Sequence, residues 1–159
     1  RKRRFRQTTD SRHNDPIAPN LLDRDFHADA PNRVWVTDVT CIWIAQGWLF
    51  LAAMLDLFSR RVVGWETSTT NDRELALAAP QQAAKMRHPP PGLVHHSDRG
   101  SPYASGDYRR ELQRFGIVAS MSRSPSTPSP QAFLSRLQQP DRVRVEEQGR
   151  CIRGVVRPS

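Results

Sequence analysis

The sequence predicts an α/β domain built on a mixed five-stranded sheet that is flanked by helices. Three runs rich in Val, Ile, Trp and Leu follow one another with only short turns between them, which is typical of an antiparallel meander. The chain then alternates between helix-like and strand-like segments, which favours strands that are joined by helical crossovers. Together these observations predict the order strand, strand, strand, helix, strand, helix, strand.

The first three strands occupy residues 34–44, 48–56 and 61–65. The β-branched and aromatic content of the first run suits a buried strand. Turns at Ala45-Gln46-Gly47 and at Ser59-Arg60 separate the three runs. We therefore expect neighbouring strands of opposite direction.

The second half of the domain begins with a helix that Asn71 caps and that extends to about Arg87. Pro80 lies inside this helix, and we expect it to kink or split it, because proline cannot donate the helical hydrogen bond. A strand over residues 93–97, a helix over residues 105–115 closed by Gly116, and a last strand over residues 117–121 complete the domain.

Charge and composition restrict the classes of partner. The chain has 159 residues, a net charge of +8 and six Lys or Arg among its first twelve residues, which favours a polyanionic partner such as DNA. Charge alone leaves RNA and an anionic membrane surface open. No apolar run reaches the roughly 18 residues that a membrane helix needs, and no signal peptide is apparent. We expect a cytoplasmic protein.

Composition divides the chain into three parts. Residues 1–32 form a basic arm or linker, residues 33–123 hold nearly all the strand and helix signals, and residues 124–159 are rich in Ser, Pro, Gln and Arg. We expect the third part to be disordered, because it lacks an apolar face. The arm is either a phosphate-binding segment or a solvated tail. Its basic residues before position 10 are Arg1, Lys2, Arg3, Arg4 and Arg6.

Two aspartates stand out as candidates for metal binding. Asp38 lies inside an apolar strand, and Asp98 lies where the strand over residues 93–97 meets a glycine turn. If these strands are parallel neighbours, the two carboxylates could share a divalent cation, as in enzymes that act on phosphodiesters. The alternative is a buried Asp38 that pairs with an arginine or caps a turn.

Five segments resemble the integrase-type catalytic core of bacterial insertion-sequence transposases. The resemblance implies a ribonuclease-H-like fold, Asp-Asp-Glu chemistry with Mg²⁺ or Mn²⁺, and cutting and joining of element DNA to a target. It implies that Asp38 and Asp98 are the first two catalytic acids and metal ligands, that Arg99 contacts DNA, and that the intact family member is an oligomer acting at the nucleoid. The segments are Ala30–Thr40, Gly47–Leu51, Leu55–Trp65, His95–Ser105 and Gly116–Arg123.

The sequence departs from the family pattern after Arg123. The resemblance places the third acid near position 134, where the sequence has Leu134, and the later Glu146 and Glu147 have no family context. The abrupt change in composition after Arg123 is typical of a shifted reading frame. We therefore expect a frame-disrupted or truncated core, incomplete at the C-terminus and catalytically inactive. The alternative is a non-catalytic DNA-binding remnant or a product without function.

Three other groups have structural interpretations beside functional ones. Asp56 precedes a turn that holds two arginines, and we expect it to pair with one of them rather than to bind metal. His95 and His96 are adjacent in a strand, so their side chains point to opposite faces and cannot easily chelate one ion. The arginines at positions 109, 110 and 114 could contact phosphates or form a solvated helical face.

Overall fold

The computed structural model describes residues 15–23 and 25–122, and its strands run in both directions within one sheet. The predictions for Arg1, Lys2, Arg3, Arg4 and Arg6 and for residues 123–159 lie outside this part of the chain. Five strands and three helices follow one another in the order β1 (Val34–Ile44), β2 (Gly47–Asp56), β3 (Val62–Ser68), α1 (Arg73–Arg87), β4 (Val94–Ser97), α2 (Ser101–Ala104), α3 (Gly106–Arg114) and β5 (Val118–Met121).

The sheet has the strand order β3-β2-β1-β4-β5. The first three strands form the predicted antiparallel meander, whereas β4 is parallel to β1 and β5 is parallel to β4. Each parallel connection passes through at least one helix, as parallel neighbours require. The prediction of a mixed five-stranded sheet flanked by helices is confirmed.

Helix α1 differs from the prediction in two respects. Its N-cap is Asp72 rather than Asn71, and the Asp72 side chain accepts a hydrogen bond from the backbone N–H of Leu75. The helix continues past Pro80 without being split. Pro80 is buried, so the packing of α1 on the sheet offsets the one helical hydrogen bond that proline cannot donate.

A short helix after β4 was not predicted. Helix α2 consists of Ser101–Ala104, has a proline in its first turn and ends where Ser105 caps α3. The Ser105 side chain accepts a hydrogen bond from the backbone N–H of Tyr108, at 3.3 Å. Because the two helices are contiguous in sequence, α2 turns the chain from the end of β4 into α3.

The hydrophobic core divides between the two faces of the sheet. The larger cluster lies on the helix-covered face, where α1 and α3 pack, and includes Trp35, Phe50 and Leu112. The smaller cluster lies on the opposite face and includes Val36. Leu22 packs in this second cluster, so part of the predicted arm contacts the sheet.

Helices of the described segments are all too short or too polar to cross a lipid bilayer.

The closest approach between α1 and the sheet occurs at Gly64 of β3. A Cβ atom there would lie 2.9 Å from Cβ of Ala83 and even closer to the carbonyl oxygen of Ala79. Both neighbours belong to the fixed backbone or to a side chain without rotamers, so neither can move aside. Glycine is therefore required at this contact.

We expect Gly64→Ala to lower the free energy of unfolding by about 2 to 3 kcal/mol, because overpacking forces α1 away from the sheet. Urea unfolding followed by tryptophan fluorescence would measure the loss. The matched control is Gly106→Ala, whose Cβ would meet only an arginine nitrogen at 3.4 Å. Equal stability of the two variants would contradict this account of the α1 contact.

Candidate functional site

The parallel pairing of β1 and β4 brings the two candidate aspartates to the same level of the sheet. The paired residues are Val34 with Val94, Trp35 with His95 and Val36 with His96. The partners' numbers differ by 60 throughout, and the same offset applied two residues further pairs Asp38 with Asp98. The predicted neighbourhood of these two strands is confirmed.

The two carboxylates lie on the face of the sheet opposite the helices. Parallel strands are separated by about 4.8 Å, so side chains at equal level on one face can reach a common ligand. Asp38 is 5% exposed, and its Oδ2 atom is shielded from solvent. Asp98 is half-buried just beyond the end of β4. Two acids of this kind side by side favour a cation, because their negative charges repel each other.

The turn after β4 holds the Asp98 side chain. The backbone N–H of Gly100 donates a hydrogen bond to Oδ1 of Asp98, at 2.8 Å. This contact between a carboxylate and the backbone two residues later is the side-chain form of a turn. The orientation of Asp98 is thus coupled to the backbone that begins α2.

Behind the carboxylates, on the helix-covered face, lies a buried aromatic cluster. Tyr103 packs edge-to-face on Tyr108, with ring centroids 5.3 Å apart. The Tyr108 hydroxyl lies 3.0 Å from Nε2 of His95. Burial raises the pKa of Tyr108, and burial, together with the neighbouring His96, lowers the pKa of His95 to about 3. The phenol therefore keeps its proton and donates it to a neutral imidazole.

Tyr103 connects this cluster to the carboxylates. Its pKa is raised well above the usual range, first by burial and then by Tyr108, Asp98 and Asp38, while the Thr37 side chain partly offsets the shift. The two aspartates thus act on one phenol, as expected for groups in a single neighbourhood. Sequence reasoning assigned no role to Tyr103, and its position five residues after Asp98 was the only signal.

The second histidine of β4 lies on the opposite face, as predicted. Nδ1 of His96 is 2.9 Å from the Ser120 hydroxyl, which also accepts a hydrogen bond from the backbone N–H of Leu21. The Phe26 ring contacts His96 edge-on at 5.9 Å. Burial lowers the pKa of His96 to about 4. His96 therefore anchors the segment before β1 to the sheet and shares no ligand with His95.

Asp56 has a structural role, but its partners are not the predicted arginines. Its Oδ1 accepts from the backbone N–H of Asn32 at 2.9 Å, and its Oδ2 accepts from the N–H and the hydroxyl of Ser59 at 3.0 and 2.6 Å. These contacts tie the end of β2 to the start of β1. The three printed donors are polar but uncharged, because Ser59 and the backbone lie nearer to this buried position.

The arginines that were candidates for DNA contact make contacts within the protein. Nε of Arg99 donates to the carbonyl oxygen of Ser122 at 2.8 Å, which links the turn after β4 to the end of β5. On α3, Arg110 pairs with Asp107, Arg114 pairs with Glu111, and Arg109 contacts the carbonyl oxygen of Pro16. These contacts hold the guanidinium groups near the protein surface.

Metal-ligand chemistry at this site comes from oxygen donors. Within residues 15–23 and 25–122, no three or more His, Cys, Asp or Glu side chains cluster closely enough to hold a metal ion. The pair formed by Asp38 and Asp98 supplies two carboxylates, which are the ligand type that Mg²⁺ and Mn²⁺ prefer. The donor set therefore fits a hard divalent cation.

Comparison with known proteins extends these observations. Residues 28–126 match the family model of the integrase core domain. The chain is 45% identical over 122 residues to the uncharacterized 31 kDa protein of insertion element IS600 from Shigella sonnei, covering 77% of this chain and 45% of that protein. It is 40% identical over 120 residues to the transposase InsF for insertion sequence IS3A from Escherichia coli K12, covering 76% and 42%. The chain thus spans less than half the length of these relatives.

Solved structures show the same fold. The HTLV-2 integrase catalytic core domain in complex with magnesium superposes with a TM-score of 0.54 at 22% identity, covering 60% of this chain and 63% of that one. A chain of the simian T-cell lymphotropic virus intasome in complex with PP2A regulatory subunit B56 gamma gives a TM-score of 0.59 at 18% identity, covering 82% and 43%. The prediction of a ribonuclease-H-like fold is confirmed.

We expect the stability of the protein to fall as the pH decreases below about 6.5. His95 has a pKa of about 3 in the folded protein, so the unfolded chain binds a proton that the folded chain refuses. The stabilisation is complete above pH 6.5 and is lost between pH 6.5 and 3, which amounts to about 2 kcal/mol between pH 6.5 and 5. Urea unfolding at pH 7, 6 and 5 and constant ionic strength measures this slope.

The matched control for this pH dependence is His27→Gln, since His27 is an exposed histidine. The variant should lose as much stability on acidification as the unmutated chain. A free energy of unfolding that stays constant from pH 7 to pH 5 would contradict the buried, neutral state of His95.

Proposed function

The chain belongs to the integrase core domain family of insertion-sequence transposases, and from this premise we propose that Asp38 and Asp98 are its catalytic acids and bind a divalent cation. The reaction class is metal-dependent cleavage of DNA and transfer of the cut strand to a target. The observation that carries the proposal is the register of β1 and β4, which brings two acids level on one face of the sheet.

The proposed cation is Mg²⁺ or Mn²⁺. A bound divalent cation supplies Lewis-acid stabilisation of the charge that develops on phosphate oxygens. The protein contributes the two carboxylates and their orientation, which the contact between Gly100 and Asp98 restrains. Magnesium appears in one structure of similar fold, which supports this choice of metal.

DNA is the proposed partner, both as the ends of the element and as the target. The net charge of +8 supports attraction to a polyanion. The proposed contacts are Arg99 in the turn after Asp98 and the basic residues of the arm, Arg1, Lys2, Arg3, Arg4 and Arg6. Because transposition brings two DNA ends together, we propose that the chain acts as an oligomer at the nucleoid, in the bacterial cytoplasm.

We also propose that strand cleavage by this copy is lost or severely reduced. The family resemblance implies a third acid near position 134, and the sequence has Leu134 there. Two carboxylates hold a cation less firmly than three, and a change of reading frame after Arg123 would account for the altered composition. The division into an arm (1–32), a partial core (33–123) and an out-of-family tail (124–159) belongs to the same proposal.

The second candidate function is non-catalytic binding of DNA, which the same Leu134 favours. The two candidates share the fold and the basic charge, and they differ in whether Asp38 and Asp98 matter to an activity. A DNA-binding remnant would bind duplex DNA with an affinity that falls steeply with salt concentration, whatever the state of the carboxylates.

Nicking of supercoiled plasmid DNA in Mn²⁺ separates these possibilities. We expect the unmutated chain to nick no faster than Asp38→Asn or Asp98→Asn, because the set of acids is incomplete. Asp29→Asn is the matched control, since it makes the same charge change at an exposed position. Nicking that needs Mn²⁺, survives Asp29→Asn and disappears in the other two variants would overturn the proposed inactivity and establish the enzyme.

A further inference from the structure

Tyr103 lies one helical turn beyond Asp98 and is coupled to it through the backbone. The N–H of Tyr103 donates to the carbonyl oxygen of Gly100 at 3.0 Å, and the N–H of Gly100 donates to Oδ1 of Asp98 at 2.8 Å. The side chains of Asp98 and Tyr103 therefore share one short, hydrogen-bonded unit at the end of β4.

The Tyr103 ring cannot turn its hydroxyl toward solvent. The residue is 4% exposed, and its ring meets Tyr108 at an interplanar angle of 86°. Tyr108 is held in turn by its hydrogen bond to His95. A rigid aromatic support of this kind fixes the direction of the phenol oxygen.

The Tyr103 hydroxyl is buried and, among the residues that the structure describes, has no hydrogen-bond partner of standard geometry. Leaving a buried hydroxyl without an acceptor costs about 1 to 3 kcal/mol, so a phenylalanine would be more stable at a purely structural position. The negative charges of Asp98 and Asp38 both act on this hydroxyl, and that of Asp98 acts more strongly. The phenol is thus a proton donor beside two carboxylates.

We propose that Tyr103 is a positioning residue that donates a hydrogen bond to the carboxylate of Asp98 when Asp98 and Asp38 share a divalent cation. The proposal rests on the proposed function of these aspartates. A donor behind a metal-binding carboxylate fixes its orientation and keeps it charged, and the loss of such a partner typically weakens metal binding about tenfold or more. Tyr103 itself contacts neither metal nor DNA in this role.

The test is a Mn²⁺ titration of the full chain, followed by electron paramagnetic resonance of the free ion. We expect Tyr103→Phe to weaken Mn²⁺ binding about tenfold while the urea midpoint stays unchanged or rises, because only a hydroxyl without a partner is removed. A residue with a merely structural role would change the urea midpoint and leave the affinity for Mn²⁺ unaffected.

The matched control is Tyr108→Phe, which removes a buried hydroxyl from the adjacent ring. It should lower the stability, since His95 loses its donor, and leave Mn²⁺ binding unchanged. Unchanged Mn²⁺ affinity in Tyr103→Phe overturns the positioning role, and so does a loss of stability as large as that of Tyr108→Phe.

Asp38→Asn separates failure of this inference from failure of the proposed function. If Asp38→Asn abolishes Mn²⁺ binding and Tyr103→Phe does not weaken it, only the role of Tyr103 is wrong. If the unmutated chain binds no Mn²⁺, or if Asp38→Asn binds it equally well, the proposed metal site is wrong and the role of Tyr103 is overturned with it.

Discussion

The parallel register of β1 and β4 is the constraint on which the candidate site depends. Because side chains alternate along a strand, a slip of one residue would move Asp98 to the face of the sheet opposite Asp38. The two histidines of β4 oppose that slip, since His95 bonds to a tyrosine of α3 on the helix-covered face and His96 bonds to a serine of β5 on the other. Exchanging them would leave two buried imidazoles without their partners, so the contacts that stabilise β4 also align the carboxylates.

Stability and chemistry are divided between the two faces of the sheet. The helix-covered face carries the larger apolar cluster, in which Trp35 and Phe50 are fully buried. The other face carries Asp38 amid a smaller cluster, and burying a carboxylate there opposes folding. The domain accommodates this unfavourable charge because α1 and α3 stabilise the sheet from behind. Tyr103 belongs to the helix-covered side by its ring and approaches the acids by its hydroxyl, and it is thereby the link between the two faces.

Local sequence signals predicted what depends on neighbouring residues, and they failed where distant contacts decide. The strand runs, the turns between them and the placement of Asp38 near Asp98 followed from residue type, alternation and the order of elements. The uninterrupted helix through Pro80 did not, because packing against the sheet outweighs the local preference. The uncharged partners of Asp56 and the position of the Tyr103 hydroxyl also depend on residues remote in sequence, which no local pattern encodes.

The central claim is that Asp38 and Asp98 form one cation site, and the most direct measurement is anomalous diffraction from crystals of the protein soaked in Mn²⁺. The account predicts an anomalous peak between the two carboxylates, on the face of the sheet opposite the helices, and its disappearance in crystals of Asp38→Asn. Carboxylates that point apart with no peak between them, or a peak that persists in Asp38→Asn, would contradict it.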